Sequence, residues 1–307
     1  MKSTHLLIGA AIIAVLGIGG VILSQSDDDT SDSTETSQVR SQDAPFNLDV
    51  SSLAPLDQGV YEGWVVRDDV KYSFGTFNTD ASGNVIGTLD LNGVTPQDGD
   101  TIAISIEPDN DTDPEPSATI ILAGEFQSGT ANLSFPVDIS GFSGQYILAT
   151  PTNDPAGNET AGVWFVDNSN APNLTASLNI PDAPDGWIYE GWVVYKGETP
   201  ITTGKFRSAT GADQFDGYSG TAQSGPNYPG EDLIMNLPAG LEGPLEFDDG
   251  ETLIVVSIEP DQNGEDPTGD GPAQLKPLSA VVAEGSADHS LFDLSLNPET
   301  PSGTFTL

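Results

Sequence analysis

The stretch YEGWVV occurs twice in the sequence, at residues 61–66 and at residues 189–194. A chance identity of six residues within one chain of 307 is improbable, so the repeat indicates a duplicated unit. The same landmarks follow both copies in the same order: a G-x-F tripeptide at 75–77 and 204–206, then SIEPD at 105–109 and 257–261. We therefore interpret the chain as two related lobes.

The repeated segments have the pattern of β-strands. Ile102, Ile104 and Ile106 alternate with small or polar residues, which is typical of a strand with one buried face. The chain also contains 34 Gly and 23 Pro, and these residues favour turns over helices. We predict an all-β fold of two tandem antiparallel β-sandwich lobes with an immunoglobulin-like layout, after an N-terminal transmembrane helix.

The N-terminal segment sets the predicted localisation. Residues 6–23 carry no charge, and 18 residues in a helix span ~27 Å, close to the hydrocarbon thickness of a bilayer. Lys2 precedes the segment and three aspartates follow it, which places the bulk of the chain outside the cytoplasm. We interpret it as an uncleaved signal anchor of a single-pass cell-membrane protein; a cleaved signal peptide, leaving a secreted protein, is the alternative.

These observations divide the chain into five predicted parts. They are a cytoplasmic stub at 1–5, a transmembrane signal anchor at 6–23, a disordered acidic Ser/Thr/Asp stalk at 24–44, a first β-sandwich lobe with a connecting hairpin at 45–180, and a second lobe at 181–307. The stalk is predicted because almost none of its residues is apolar enough to be buried.

Charge and cysteine content exclude several functions. The chain has 47 acidic and 8 basic residues, a formal net charge of −39, and such a surface repels phosphate backbones, so no nucleic-acid partner is expected. The acidic surface has two interpretations, a solvated surface suited to salty surroundings or one that captures cations. The absence of cysteine excludes disulfides, thiol catalysis and thiolate zinc sites.

Catalysis has few candidate residues. Of the two histidines, His5 lies beside the apolar segment, which leaves His289 without a partner histidine. A carboxylate pair, Glu62 with Glu107 or Glu190 with Glu259, has the residue types of a glycosidase. Because both pairs recur with the duplication, we predict that they belong to the fold, with Glu107 and Glu259 bonding backbone at strand ends, and that the protein is not an enzyme.

Ligand binding is predicted at residues that the duplication marks and at an insertion in the second copy. The candidates are Glu62, Trp64, Glu190, Trp192 and Tyr228. The two tryptophans are also expected to be equivalent core anchors. The insertion at residues 214–238 is expected to lie on the surface and to carry the recognition specific to the second lobe.

An acidic loop follows the first SIEPD. Its candidate ligands are Asp109, Asp111 and Asp113, whose oxygens suit calcium. Pro114 and Ile120 stand where the helix-loop-helix calcium motif needs Gly and Glu, so that motif is not met. The loop is either a calcium site or an acidic turn, and no other cofactor is expected.

The order of these landmarks resembles the extracytoplasmic domain of anti-sigma-K factors. The matching residues are Tyr61, Trp64, Gly75, Phe77, Glu107, Pro108 and Gly124 in the first copy and Tyr189, Trp192, Gly204, Phe206, Glu259 and Pro260 in the second. The resemblance implies an outer β-domain that controls the proteolytic release of a cytoplasmic sigma-binding region. The predicted cytoplasmic stub is too short to hold a protein partner, so direct contact with a sigma factor is not expected.

The sequence therefore predicts a membrane-anchored extracytoplasmic binding or sensing module. Its partners would be the membrane, through residues 6–23, and an envelope protein or a glycan. Two alternatives stay open, a secreted carbohydrate-active enzyme that uses a glutamate pair, and a surface adhesin.

Overall fold

A computed structural model describes residues 46–109, 111–153, 159–262, 266–269 and 271–307. In these ranges the secondary structure is nineteen β-strands and one short 3-10 helix, and none of it is α-helical. The predicted all-β class is confirmed. The predicted anchor at 6–23 and stalk at 24–44 lie outside the described residues, within which no helix is long and apolar enough to span a bilayer.

The strands are numbered in chain order. They are β1 Asn47–Ser51, β2 Val60–Arg67, β3 Val70–Thr79, β4 Val85–Gly87, β5 Thr101–Glu107, β6 Ile120–Gln127, β7 Thr130–Ser134, β8 Ser143–Leu148, β9 Gly162–Trp164, β10 Val166–Asp167, β11 Thr175–Ala176, β12 Leu178–Asn179, β13 Trp187–Tyr195, β14 Thr199–Phe206, β15 Gly230–Asp232, β16 Leu253–Pro260, β17 Leu278–Val281, β18 Phe292–Leu296 and β19 Ser302–Thr306. The 3-10 helix is Glu159–Ala161.

The first sheet has eight strands in the order β1-β19-β7-β6-β5-β2-β3-β4. Its neighbours pair antiparallel throughout. Seven of its strands come from the first part of the chain, and β19 comes from the last described residues. Leu48 of β1 lies opposite Phe305 of β19, and both side chains are buried. The first sheet therefore contains a strand from each end of the described chain.

The second sheet follows the order β14-β13-β16-β17-β18-β8-β9-β15, with β12 attached to β8. A separate two-stranded ladder joins β10 and β11. Because β8 and β9 precede residue 180 and β19 returns to the first sheet, the sheets do not divide at the predicted lobe boundary. The two tandem sandwich lobes and their immunoglobulin-like layout stay predictions.

The duplicated stretch has the same geometry in both sheets. Strand β2 pairs with β3 and β5, and β13 pairs in the same way with β14 and β16. In both copies the register with the following strand shifts immediately after the Gly of YEGW, Gly63 in one and Gly191 in the other. A Cβ on Gly63 would lie 1.9 Å from the ring of Phe74, and one on Gly191 would lie 2.2 Å from Thr203 Oγ1. Close packing at this bulge explains why both copies have glycine there.

The two sheets pack together through one continuous hydrophobic cluster. The rings of Phe135 and Trp187 meet edge to face with centroids 5.3 Å apart. The Thr119 hydroxyl donates to the carbonyl of Gly186 at 3.0 Å. These contacts join the two repeated units, and the described residues form one compact unit.

The insertion at 214–238 differs in part from its prediction. Gly230–Asp232 form the buried strand β15, which pairs with β9, and Leu233 is also fully buried. The expectation of a wholly surface segment is therefore wrong for residues 230–233. The physical reason is that β15 covers the free edge of β9, whose backbone groups would otherwise lack partners.

Candidate functional site

The two repeated tryptophans lie in the protein interior. Trp64 is 2% exposed and its indole N–H donates to the hydroxyl of Ser105 at 2.8 Å. Trp192 is 4% exposed and donates in the same way to Ser257 at 2.9 Å. Each indole therefore links β2 to β5, or β13 to β16, by a buried hydrogen bond. A ligand-binding role for either residue stays a prediction.

The two SIEPD glutamates continue these hydrogen-bond chains. Ser105 donates to Glu107 and Ser257 donates to Glu259. Glu107 also accepts the backbone N–H of Ser117 at 2.9 Å, and the other glutamate accepts the N–H of Ala273 at 3.0 Å. Both carboxylates are almost completely buried. They hold the loop that follows each strand, as the duplication argument expects.

The glutamates of YEGW bond to the neighbouring strand. Ser73 donates to Glu62, and Thr202 donates to Glu190 at 2.5 Å. Only the second copy adds a cation: the Lys205 ammonium lies 3.6 Å from Glu190 and 2.7 Å from Asp266. Both glutamates are thus engaged within the protein, and a role in ligand binding stays a prediction.

Burial controls the protonation of these acids. Removal from water raises the pKa of Glu259 to about 7, with the nearby Asp266 charge adding to the effect. Burial also raises the pKa values of Glu107 and Glu190. The hydrogen bonds that these carboxylates accept oppose the shift but do not cancel it.

The described residues of the acidic loop, Asp109 and 111–113, are exposed. Asp111 accepts the backbone N–H of Asp113 at 2.9 Å, and Asp113 accepts that of Glu115 at 3.1 Å, so two of the carboxylates brace turns. Within the described ranges, no group of three or more acidic or histidine side chains is placed to hold a metal ion. Calcium binding by Asp109, Asp111 and Asp113 stays a prediction.

The remaining candidate, Tyr228, borders a cavity of about 700 Å³ beside the second sheet. Its hydroxyl donates to the carbonyl of Leu174 at 3.0 Å, which leaves its ring to line the cavity with Trp164 and Phe215. The volume is in the range of small-ligand sites. Polar side chains at the rim, such as Gln214 and Gln223, are exposed to solvent.

Three carboxylates lie at or behind this cavity, Asp213 directly before the insertion and two within it. Asp213 accepts the N–H of Phe215 at 2.9 Å and that of Gly230 at 2.8 Å. Glu231 borders the cavity, although it is 0% exposed, and one of its oxygens accepts the N–H of Tyr218 at 3.0 Å. Its other oxygen, Oε2, is buried without a hydrogen-bond partner.

Asp232 stands behind the cavity wall and fixes it. The Trp164 indole N–H donates to Asp232 at 2.7 Å, and both the backbone N–H and the hydroxyl of Thr152 donate to the same carboxylate. The N–H of Gly220 in turn donates to the Thr152 hydroxyl at 2.7 Å. This network holds an aromatic wall of the cavity in place.

The cavity carboxylates have raised pKa values. Desolvation raises the pKa of Glu231 to about 8 and that of Asp213 to about 6. Burial also raises the pKa of Asp232. Each charge makes ionisation of its neighbours more costly. Two carboxyl groups of different acidity therefore border one small cavity, an arrangement that is common at functional sites.

A second cavity of about 800 Å³ adjoins the first. The two share Thr152, Gly220 and Thr221 in their walls. The second is lined by the apolar side chains of Ile234, Met235, Leu237 and Leu241. An acidic cavity with aromatic walls thus lies next to a cavity that presents these four apolar side chains among polar ones such as Asn153 and Asn236.

Sequence reasoning found the insertion and Tyr228 but missed Trp164, Asp213 and Glu231. Trp164 comes from β9, which the sequence assigns to a connecting hairpin of the first lobe. The available signal was the insertion itself, since a long addition to a β scaffold is a common place for binding residues. The sequence could not show which acids of the insertion are buried, because that depends on the pairing of β15 with β9.

The fold and the cavity define an all-β module with a site of small-ligand size beside its second sheet. The family model described as anti-sigma-K factor rskA, C-terminal, matches residues 6–120. The resemblance that the landmarks predict is therefore confirmed over that part of the chain, which is less than half of it. Searches of curated proteins and of solved structures found no match.

Proposed function

We propose that the protein is a membrane-anchored, extracytoplasmic and non-enzymatic binding or sensing module. The cavity bordered by Trp164, Asp213 and Glu231 is its ligand site. The observation that carries this function is Glu231, a fully buried carboxyl group with an unpartnered oxygen, at the wall of a cavity large enough for a small ligand. The match to the anti-sigma-K factor family supports a regulatory role outside the cytoplasm. The ligand would be part of an envelope protein or glycan, and direct sigma-factor contact is not part of the proposal.

Narrowing the cavity tests the site assignment. A Cβ on Gly225 would lie 2.5 Å from the Trp164 ring, whereas a Cβ on Gly141 would meet nothing within 4 Å. Gly225→Ala should therefore reduce capture of envelope components by the immobilised full chain, and Gly141→Ala should not. Equal capture by the two variants would refute the cavity as the site.

The compartment is tested separately. A reporter that is active only outside the cytoplasm, fused after Leu307, should be active in the full chain and inactive when residues 6–23 are deleted. Activity of a cytoplasm-only reporter at the same position would refute the extracytoplasmic assignment.

A carbohydrate-active enzyme is a second candidate, favoured by one specific observation. Near neutral pH, Asp213 with a pKa of about 6 would be ionised and Glu231 with a pKa of about 8 protonated, the two states that glycoside hydrolysis needs. The predicted pairs, Glu62 with Glu107 and Glu190 with Glu259, are instead held by internal hydrogen bonds. Hydrolysis of aryl glycosides that is lost in Asp213→Asn would favour the enzyme, and its absence in the unaltered protein would reject it.

A further inference from the structure

We propose that the group of the envelope protein or glycan that enters the cavity is an organic ammonium ion that carries an apolar body. This inference rests on the proposed function and names the class of ligand for the same site. It stands on three features of the cavity: the unpartnered oxygen of Glu231, the acidic surroundings of that oxygen, and the aromatic and apolar walls.

The hydrogen bonds leave one carboxylate oxygen at the acidic wall without a donor. Both oxygens of Asp213 accept backbone N–H groups, and Asp232 accepts from Thr152 and Trp164. Of the three carboxylates at this wall, only Glu231 has a buried oxygen, Oε2, without a donor among the described residues. A buried carboxylate oxygen without a donor is costly and favours the protonated acid, so a cation that donates a hydrogen bond there stabilises the ionised form of Glu231.

The charges around Glu231 favour a cation over a neutral donor. The carboxyl groups that face Glu231 are Asp213 and Asp232, and its hydrogen-bond donors are the Ser219 hydroxyl and the backbone N–H of Tyr218. Glu159 and Asp216 lie close behind. None of these carboxyl groups takes part in an ion pair recorded among the described residues. A bound positive charge would offset this concentration of carboxyl groups.

An ammonium ion fits better than a metal ion. It brings donors and no acceptors, which matches the one free acceptor at the wall. Calcium needs six to eight oxygen ligands, whereas the oxygens of Asp213 and Asp232 are already occupied by N–H donors. Within the part of the chain that the structure describes, no cluster of three metal-ligating side chains is present.

The walls fit the rest of such a ligand. Trp164, Phe215 and Tyr228 line the acidic cavity, and aromatic faces attract cations through their quadrupoles. The adjoining cavity offers Met235, which is 40% exposed, together with neighbouring apolar side chains. The charged head would thus meet Glu231 and the apolar body would lie along the shared wall.

The test compares two probes that differ in one group, n-butylammonium and 1-butanol. Each is titrated into the full chain in 0.3 M NaCl, where screening suppresses binding to the general surface charge. Binding is followed by Trp fluorescence and by NMR of the probe. The site variant is Glu231→Gln, and the matched control is Glu251→Gln, which removes one charge from an exposed residue outside the cavity. Thermal melting checks that both variants fold.

The proposal expects butylammonium to bind, to lose at least tenfold in affinity in Glu231→Gln, and to be unaffected by Glu251→Gln. Butanol should bind at least tenfold more weakly. Equal binding of the two probes would overturn the ammonium class while leaving the cavity as a ligand site. Calcium binding that depends on Glu231, without butylammonium binding, would also overturn the ammonium class while leaving the cavity as a ligand site. Loss of butylammonium affinity in both variants, or no binding of butylammonium to the unaltered protein, would also refute the proposal. The Gly225→Ala capture experiment tests the proposed function independently.

Discussion

Replacing Glu231 with Gln should reduce the pH dependence of the protein's free energy of unfolding. Burial raises the pKa of Glu231 from 4.5 to about 8 in the folded protein, so between these values the folded state binds a proton that the unfolded state has lost. The free energy of unfolding must then fall as the pH rises through this range. Gln carries no charge at any pH and removes this contribution.

The magnitude follows from the shift. One pKa unit corresponds to ~1.4 kcal/mol, so a shift of about 3.5 units sets an upper limit of ~5 kcal/mol for the loss of stability between pH 4 and pH 9. Because the cavity opens to solvent, screening reduces this, and we expect ~2–3 kcal/mol. Glu259, with a pKa raised to about 7, and Asp213, raised to about 6, act with the same sign. A weaker pH dependence should therefore remain in the variant.

Urea unfolding followed by tryptophan fluorescence measures the effect, because all four tryptophans are buried. Curves are recorded at pH 5, 7 and 9 for the full chain, Glu231→Gln and the control Glu251→Gln. The site variant should be close to the unaltered protein at pH 5 and more stable at pH 9, whereas the control should follow the unaltered protein at each pH. A difference between Glu231→Gln and the unaltered protein that does not change with pH would refute the raised pKa and the reasoning built on it.

Two further expectations concern the duplicated strands. Trp192→Ala should lower the free energy of unfolding by ~3–5 kcal/mol in urea unfolding, since it removes a buried ring; unchanged stability with lost ligand binding would instead make Trp192 a recognition residue. Gly204→Ala should destabilise the second sheet and weaken butylammonium binding in the same titration, because Gly204 has φ +112° and its added Cβ would lie 2.5 Å from Asp213 Cγ. The alanine at the equivalent Gly75, with φ +114°, should destabilise without changing binding, and loss of affinity there would contradict the placement of the site.

The sequence predicts the repeated strands well because the pattern of neighbouring residues is enough to specify each of them. The alternation of Ile102, Ile104 and Ile106 correctly predicts a strand, although the prediction of a single buried face is wrong, since Ala103 and Ser105 on the other face are buried too. The identical stretches give the same pairing and the same bulge in both sheets. The burial of both repeated tryptophans also follows from this repetition.

The cavity could not be predicted in the same way. Trp164, Asp213 and Glu231 are distant in sequence, and the antiparallel pairing of β9 with β15 brings the strands that carry Trp164 and Glu231 together. Nothing in the residues around Glu231 signals that this acid, unlike Asp213 and Asp232, keeps an oxygen without a donor. The placement of β19 in the first sheet could not be predicted either. Five residues with weak alternation of apolar and polar side chains do not specify a partner strand far away in the sequence.

The position of β19 has a consequence for how the protein is made. Every other strand of the first sheet has been synthesised by Ser134, yet β1 and β7 have no bridge between them until Ser302–Thr306 arrive. During translation the nascent chain must carry this unfinished sheet, with two open strand edges, while the entire second sheet is still being made. Pairing of strands so distant in sequence is slow, and meanwhile it leaves unpaired strand edges exposed to other chains. It also keeps the chain from locking into its final form before synthesis has reached the last strand, so a molecule released early would lack the strand that joins β1 to β7.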